Sequence, residues 1–186
     1  MITVSEALAA IIATVQPGPV VEISLDHGLG QVLAESIVSD IDSPPFDKAL
    51  MDGYALRAAD IAVRSEFEVI EEITAGRVPV RCVGAGQAAR IMTGAPLPAG
   101  SDAVVPVEDT EFQADVPDST LGRVTIRRSA ACRVGQFVLR QGAAVQRGAQ
   151  VMAGGRVLRA QEIAALAELG YSRVSVVRRP RIAILA

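Results

Sequence analysis

Aromatic residues are scarce in this 186-residue chain: no tryptophan, two tyrosines and four phenylalanines, or 3% of the total. Basic residues are outnumbered too, 18 against 21 acidic ones, for a net charge of −3. Base-stacking platforms and a basic binding face are therefore missing, and nucleic acid is excluded as a partner. One histidine and two cysteines leave no cluster that would ligate zinc. Cys82 and Cys132 lack CxxC spacing, so at most one disulfide is possible and a disulfide scaffold is not. With no basic n-region ahead of an apolar stretch, and Glu6 inside a helical pattern, no secretion signal is expected, and the cysteines read as reduced thiols. The longest predominantly apolar run, Ala7–Val15, is nine residues, too short for a bilayer. The expectation is a cytoplasmic protein with no membrane partner. No GxSxG, GxxxxGK[ST] or HExxH string occurs, which sets aside nucleophilic triads, P-loops and metalloprotease chemistry. There is no internal repeat and no low-complexity tract.

Half the residues are apolar and 21% are charged, the balance of a globular chain with one large domain or two small ones. Sixteen glycines and ten prolines indicate many turns. Val4, Leu8, Ile11, Ile12 and Val15 recur at helical spacing after a Thr3/Glu6 capping box, and Pro17-Gly18-Pro19 ends the pattern. That stripe needs a surface to pack on. Val20–Leu25 reads as a strand, Gly28–Gly30 as a turn, and Gln31–Ser39 as a short helical or extended piece. Ser43-Pro44-Pro45 then breaks the chain. Beyond it, short β-like runs alternate with glycine and proline: Phe67–Ile73, Ala88–Met92, Ala103–Val107 and Val124–Arg128, with one helical turn at Ala58–Ile61. Gln136–Arg140 and Val145–Val151 read as short strands or connectors. Arg159–Leu169 returns to helical spacing with Gly170 at its C′ position, followed by a strand through Val174–Val177 and strand character at Ile182–Leu185. The expectation is an α+β, β-rich protein. A framework domain of residues 1–45 and 137–178 would carry an inserted, barrel-like domain of residues 46–136, with residues 179–186 opening a further α/β domain.

Two segments carry candidate chemistry. In Ser43–Ala55, Asp52-Gly53 is a tight-turn pair that presents a carboxylate, and Asp47 and Asp52 are acids suited to a hard cation or a polar ligand. In Ile91–Val105, a strand runs into Thr93-Gly94-Ala95, whose hydroxyl and free backbone N–H groups would cradle an anion. From spacing alone, both read first as ordinary structure: Asp52 capping its own turn, and a loop with a structural threonine. His27 beside Asp26 reads as a surface histidine, Glu108-Asp109 as a solvated turn, and Gly84-Ala85-Gly86 as a hairpin turn.

The strings PPFDxxxMDGYAxRAAD (Pro44–Asp60), RIMTGAPLPAGxDAVVPVEDT (Arg90–Thr110) and VLRAQEIAALAELG (Val157–Gly170) resemble the N-terminal half of the molybdopterin molybdenumtransferases. Bacterial members are called MoeA, and the E domain of gephyrin is a eukaryotic relative. The resemblance implies molybdenum cofactor biosynthesis: molybdate is transferred into adenylylated molybdopterin, with release of AMP, in a Mg²⁺-dependent step. It implies an elongated framework domain with a β-rich insert, followed by a pterin-binding α/β domain and a small β-barrel. It also implies a homodimer with the active site shared between subunits, and a molybdopterin-adenylylating enzyme as pathway partner. Carried over by position, Asp52 and Thr93 are the catalytic residues, Asp47, Gly94 and Ala95 contact substrate, and Asp52 is the metal ligand.

The chain departs from this pattern in places. Lys48-Ala49-Leu50 stands where the family usually reads Asn-Ser-Ala, losing an amide and a hydroxyl. Gly142-Ala143-Ala144 stands where the family reads Gly-Glu-Asp, so a functional carboxylate is absent. Arg179–Leu185 resembles the opening strand of the pterin-binding domain, and the chain reads as truncated there. Two expectations follow. Either the chain is the N-terminal part of the enzyme, inactive on its own without the pterin-binding domain, or it is a degenerate, non-catalytic member kept as a dimerisation or protein-binding module.

Overall fold

A computed structural model describes residues 2–117, 119–127, 132–181 and 183–184. In chain order the elements are α1 (Val4–Thr14), β1 (Val20–Ser24), β2 (Val32–Leu33), β3 (Ile37–Val38), β4 (Lys48–Ala49), β5 (Gly53–Leu56) and α2 (Ala58–Ile61). There follow β6 (Glu66–Ile73), β7 (Gln87–Ile91), β8 (Ala103–Pro106), β9 (Thr110–Ala114), β10 (Gly122–Ile126) and β11 (Val138–Leu139). The last three are β12 (Gln150–Met152), α3 (Ala160–Glu168) and β13 (Arg173–Val177). The protein is therefore α+β and β-rich. It divides into two compact units, residues 1–40 with 148–186, and residues 41–147.

In the first unit, α1 begins as its capping box dictates. Thr3 Oγ1 accepts from Glu6 N–H at 3.2 Å, and Glu6 Oε2 accepts from Thr3 N–H at 2.8 Å. The apolar stripe is present, but no residue of α1 is buried, and Val4, Leu8, Ile11 and Ile12 stand 55–86% exposed. The expected packing surface is thus not supplied by the described residues. A three-stranded sheet in the order β1-β13-β2 packs with α3 around Leu33, Leu158, Leu166, Val174 and Val176. Gln31–Ser39 is extended: Val32 and Leu33 pair with β13, and Ile37 and Val38 pair with β12. Gly170 ends α3 with φ +86°, as its C′ position requires. Of Ile182–Leu185, Ile182 and Leu185 lie outside the described residues, and Ala183 and Ile184 form no strand.

The second unit is built on a six-stranded sheet in the order β8-β5-β7-β6-β10-β9. All pairs are antiparallel except β6 and β7, which run parallel. Gly84-Ala85-Gly86 is therefore not a hairpin turn. It ends a crossover into β7, and Gly86 N–H is held by buried Asp60 at 2.9 Å. Both sheet faces are covered. Ala55, Ala89, Ile91 and Val104 belong to one apolar cluster, and Tyr54, Val69, Ala88 and Val105 to another. Neighbours on β5 thus enter opposite cores. The strand runs Val124–Arg128 and Phe67–Ile73 of the sequence appear as β10 and β6, with Arg128 outside the described residues.

Residues 41–45 and 137–147, expected in the framework, fall with the central unit instead. Pairing between these two stretches explains the shift. β4 pairs with β11, Ser43 N–H donates to Val145 O at 2.8 Å, and Asp47 Oδ1 accepts from Gln141 N–H at 2.7 Å.

Candidate functional site

The two candidate segments are the two strands of one antiparallel ladder. Ala55 lies opposite Ala89, Tyr54 opposite Arg90 and Gly53 opposite Ile91. Farther along, Ala49 and Ala95 are joined by the bond from Ala49 N–H to Ala95 O (3.0 Å), and Lys48 bridges Pro96. The register is the same at both ends, so Leu50–Asp52 must face Met92–Gly94. There the ladder opens. Ala95 N–H donates to Met92 O at 3.0 Å, closing a turn whose third residue, Gly94, takes φ +83°. Asp52 spans the gap: Oδ1 accepts from Thr93 N–H at 2.7 Å and from Thr93 Oγ1–H at 2.6 Å. The structure thus brings Asp52 and Thr93 into direct contact, both exposed on one side of the unit.

Those bonds set the electrostatics. The Thr93 hydroxyl, then its amide, then the charge of Arg90 hold the Asp52 carboxyl below the usual range. Asp52 is therefore a carboxylate at neutral pH, an acceptor and not a general acid. Its Oδ2 has no hydrogen-bond partner among the described residues. Thr93 has spent its only hydroxyl proton on Asp52, so what Oγ1 offers outward is lone pairs. The pair presents acceptors, suited to N–H, O–H or water donors.

The other expected contacts fare differently. Gly94 N–H donates to Ala49 O at 2.8 Å and Ala95 N–H to Met92 O, so neither is free. The anion cradle proposed on Thr93, Gly94 and Ala95 is corrected accordingly: its N–H groups are consumed by the turn that shapes it. Asp47 has both oxygens engaged, Oδ1 by Gln141 N–H and Oδ2 by Arg140, and clasps the 140–147 return. Arg90 escaped the sequence reading. It lines a depression of about 110 Å³ with Asp52, Tyr54, Met92 and Val107, and lies 3.5 Å from Glu72. A basic residue inside the otherwise apolar run Ala88–Met92 was the available signal. Asp42 was also missed; it accepts from Arg147 N–H and from Gln141 Nε2.

Asp52 does not form a magnesium site with the residues around it. One of its oxygens is filled by two Thr93 donors, Arg90 is the nearby charge, and no group of three His, Cys, Asp or Glu side chains converges among the described residues. Ala143 and Ala144 are exposed and bring no carboxylate. His27 is a surface side chain 3.4 Å from Asp26, Cys82 and Cys132 are free thiols, and no helix among the described residues is long and apolar enough to cross a membrane.

Residues 2–170 match the family described as the MoeA N-terminal region, domains I and II. The molybdopterin molybdenumtransferase of Staphylococcus aureus (strain Mu50) is 36% identical over 190 residues, an alignment covering all of this chain and 43% of that protein. The Staphylococcus epidermidis enzyme of the same name (strain ATCC 35984) is 38% identical with the same coverage. The chain thus spans less than half the length of these relatives. Two solved structures of the molybdopterin biosynthesis MoeA protein of Pyrococcus horikoshii superimpose with TM-scores of 0.83 and 0.78, at 33% and 35% identity. They cover 97% and 87% of this chain, and 45% and 42% of theirs.

Proposed function

The chain belongs to the MoeA N-terminal family, and from that premise we propose that it is the N-terminal part of a molybdopterin molybdenumtransferase, inserting molybdate into adenylylated molybdopterin with release of AMP. The observation that supports this reading is the Asp52–Thr93 contact at the opening of the ladder. Two family-like strings, 41 residues apart, meet there through two hydrogen bonds to one carboxylate oxygen. Asp52 and the outward lone pairs of Thr93 orient donor groups of the substrate. The Asp52 negative charge stabilises positive charge or a shared proton developing beside it. The depression at Asp52, about 110 Å³, is smaller than the roughly 300–1,000 Å³ of a ligand pocket, so the remaining walls come from a pterin-binding domain and, in a homodimer, from a second subunit. On this reading the enzyme works in the cytoplasm, after a molybdopterin-adenylylating enzyme.

The test is complementation. The 186 residues, joined to the remaining part of a staphylococcal relative, should restore molybdoenzyme activity to a strain lacking its own transferase. Asp52→Asn in that chimera should lower activity about 100-fold or more. Rescue by the 186 residues alone would overturn the requirement for a further domain. A second reading, a non-catalytic dimerisation or protein-binding module, is favoured by one observation, the alanines at 143 and 144. It stands if the well-expressed chimera is inactive and gains activity only on Ala144→Asp.

A further inference from the structure

The turn at Thr93–Ala95 has no N–H group left for an anion, because Asp52, Ala49 O and Met92 O have taken all three. An anionic ligand on this face needs its positive partner elsewhere. Ala49 and Ala55 are buried in one apolar cluster, whereas Leu50 and Asp52 between them are exposed and Lys48 is half-buried, with Pro96 bridged to Lys48 and Gly94 and Met92 across from Leu50 and Asp52 by register. The space beside Gly94 is open: a Cβ placed there would meet nothing within 4 Å.

Three cations belong to this ladder or the strand beside it. Arg90 lies 3.5 Å from Glu72, and Arg140 is paired with Asp47. Lys48 has no carboxylate within 4.0 Å among the described residues. Its register neighbours, Pro96 and Leu139, are uncharged and leave its four-carbon stem an apolar bed. Lys48 is also the chain's only lysine among 18 basic residues. A compact ammonium with three rotatable donors binds the oxygens of a tetrahedral anion as a point charge.

We propose that Lys48 is the anion-binding residue of this site, taking a phosphate or metal-oxyanion group of a ligand whose donor groups meet Asp52 and Thr93. This rests on the reading above that Asp52 and Thr93 face the substrate. It also gives the Lys48-Ala49-Leu50 departure a function: the ammonium supplies the contact that the turn's N–H groups do not.

The single lysine makes the test direct. Reductive ¹³C-methylation keeps the ammonium charge and labels only Lys48 and the N-terminal amine. The labelled protein is titrated separately with AMP, pyrophosphate and molybdate, against sodium chloride at matched ionic strength. The expected result is a saturable shift of the Lys48 signal with at least one oxyanion, and the arms distinguish a phosphate from molybdate. In backbone-amide titrations of the unlabelled proteins, Lys48→Gln weakens that binding about tenfold, and Lys48→Arg stays within about threefold of wild type. Matching amide spectra outside the site establish that the variants are folded. A Lys48 signal that stays fixed, moves linearly, or moves equally with chloride overturns the proposal, and so does unaltered binding in Lys48→Gln. Complementation reports separately: an inactive chimera with a saturable Lys48 shift removes the transferase reading and leaves the anion site.

Discussion

Two glycines on the ladder do opposite jobs, and substitution separates them. Gly53 sits where β5 meets β8, and a Cβ there would overlap Val105 O and the backbone beside it. Neither neighbour is a flexible side-chain end, so Gly53→Ala has to push two buried strands apart. The expected cost is about 3 kcal/mol or more. Gly94 has open space and a φ of +83°, so Gly94→Ala meets only the left-handed backbone penalty, about 1–2 kcal/mol. Urea unfolding should show the larger midpoint shift for Gly53→Ala, with both slopes near wild type. The order matters for the site. Gly53 holds the start of β5, and with it Asp52, against β8 by close approach, whereas Gly94 lets the chain turn so that Thr93 can reach Asp52. A reversed order would mean that the ladder is not held by close approach at Gly53.

At the level of elements, α3 and β5 mark the two extremes of what the sequence disclosed. Arg159–Leu169 announced a helix by its period and its C′ glycine, and α3 occupies Ala160–Glu168. Gly53–Leu56 announced nothing, because all four residues are buried and a strand covered on both faces has no alternation to read. β4 and β11 hold only two residues each and exist through pairing alone. The same limit applied at the site. Asp52 and Thr93 were legible as residue types in turns, but their contact depends on the register of segments 41 residues apart. The fate of the Gly94 and Ala95 N–H groups depends on turn geometry, which residue type does not fix. The start of α3 offers a pH test. Glu162 is buried, and its carboxylate accepts from Arg159 and Arg156 side chains at 2.7–3.1 Å and from Arg159 N–H at 3.1 Å. Arg159 foremost, with Arg156, lowers its pKa from 4.5 to about 2. Because the folded-state value lies below the unfolded one, this stabilisation is complete above about pH 5 and is lost as pH falls towards 2. Thermal midpoints of wild type should exceed those of Glu162→Gln at neutral pH, and the gap should close between about pH 4.5 and 2. A gap independent of pH would assign the effect to side-chain packing and not to charge.

For the whole molecule, the boundary between the two units is drawn by hydrogen bonds close to where the chain crosses it. In the first unit, Ser39 N–H donates to Ala149 O at 2.9 Å and Gly148 N–H to Ser39 O at 2.7 Å. In the second, Arg147 N–H donates to Asp42 Oδ1 at 2.8 Å and Ser43 N–H to Val145 O at 2.8 Å. Each unit therefore has its two chain ends side by side and its own apolar clusters. An inserted unit whose ends already meet costs its host little loop-closure entropy and keeps its own core when removed. Residues 41–147 expressed alone should unfold in one cooperative transition, with the sheet intact by circular dichroism. The sharper readout is the Thr93 amide, hydrogen-bonded to the Asp52 carboxylate. If the second unit builds its half of the site without the first, that amide should keep its chemical shift and slow exchange in the excised unit. It should lose both on Asp52→Ala. A folded excised unit with a fast-exchanging Thr93 amide would make the flanking unit part of the site's construction.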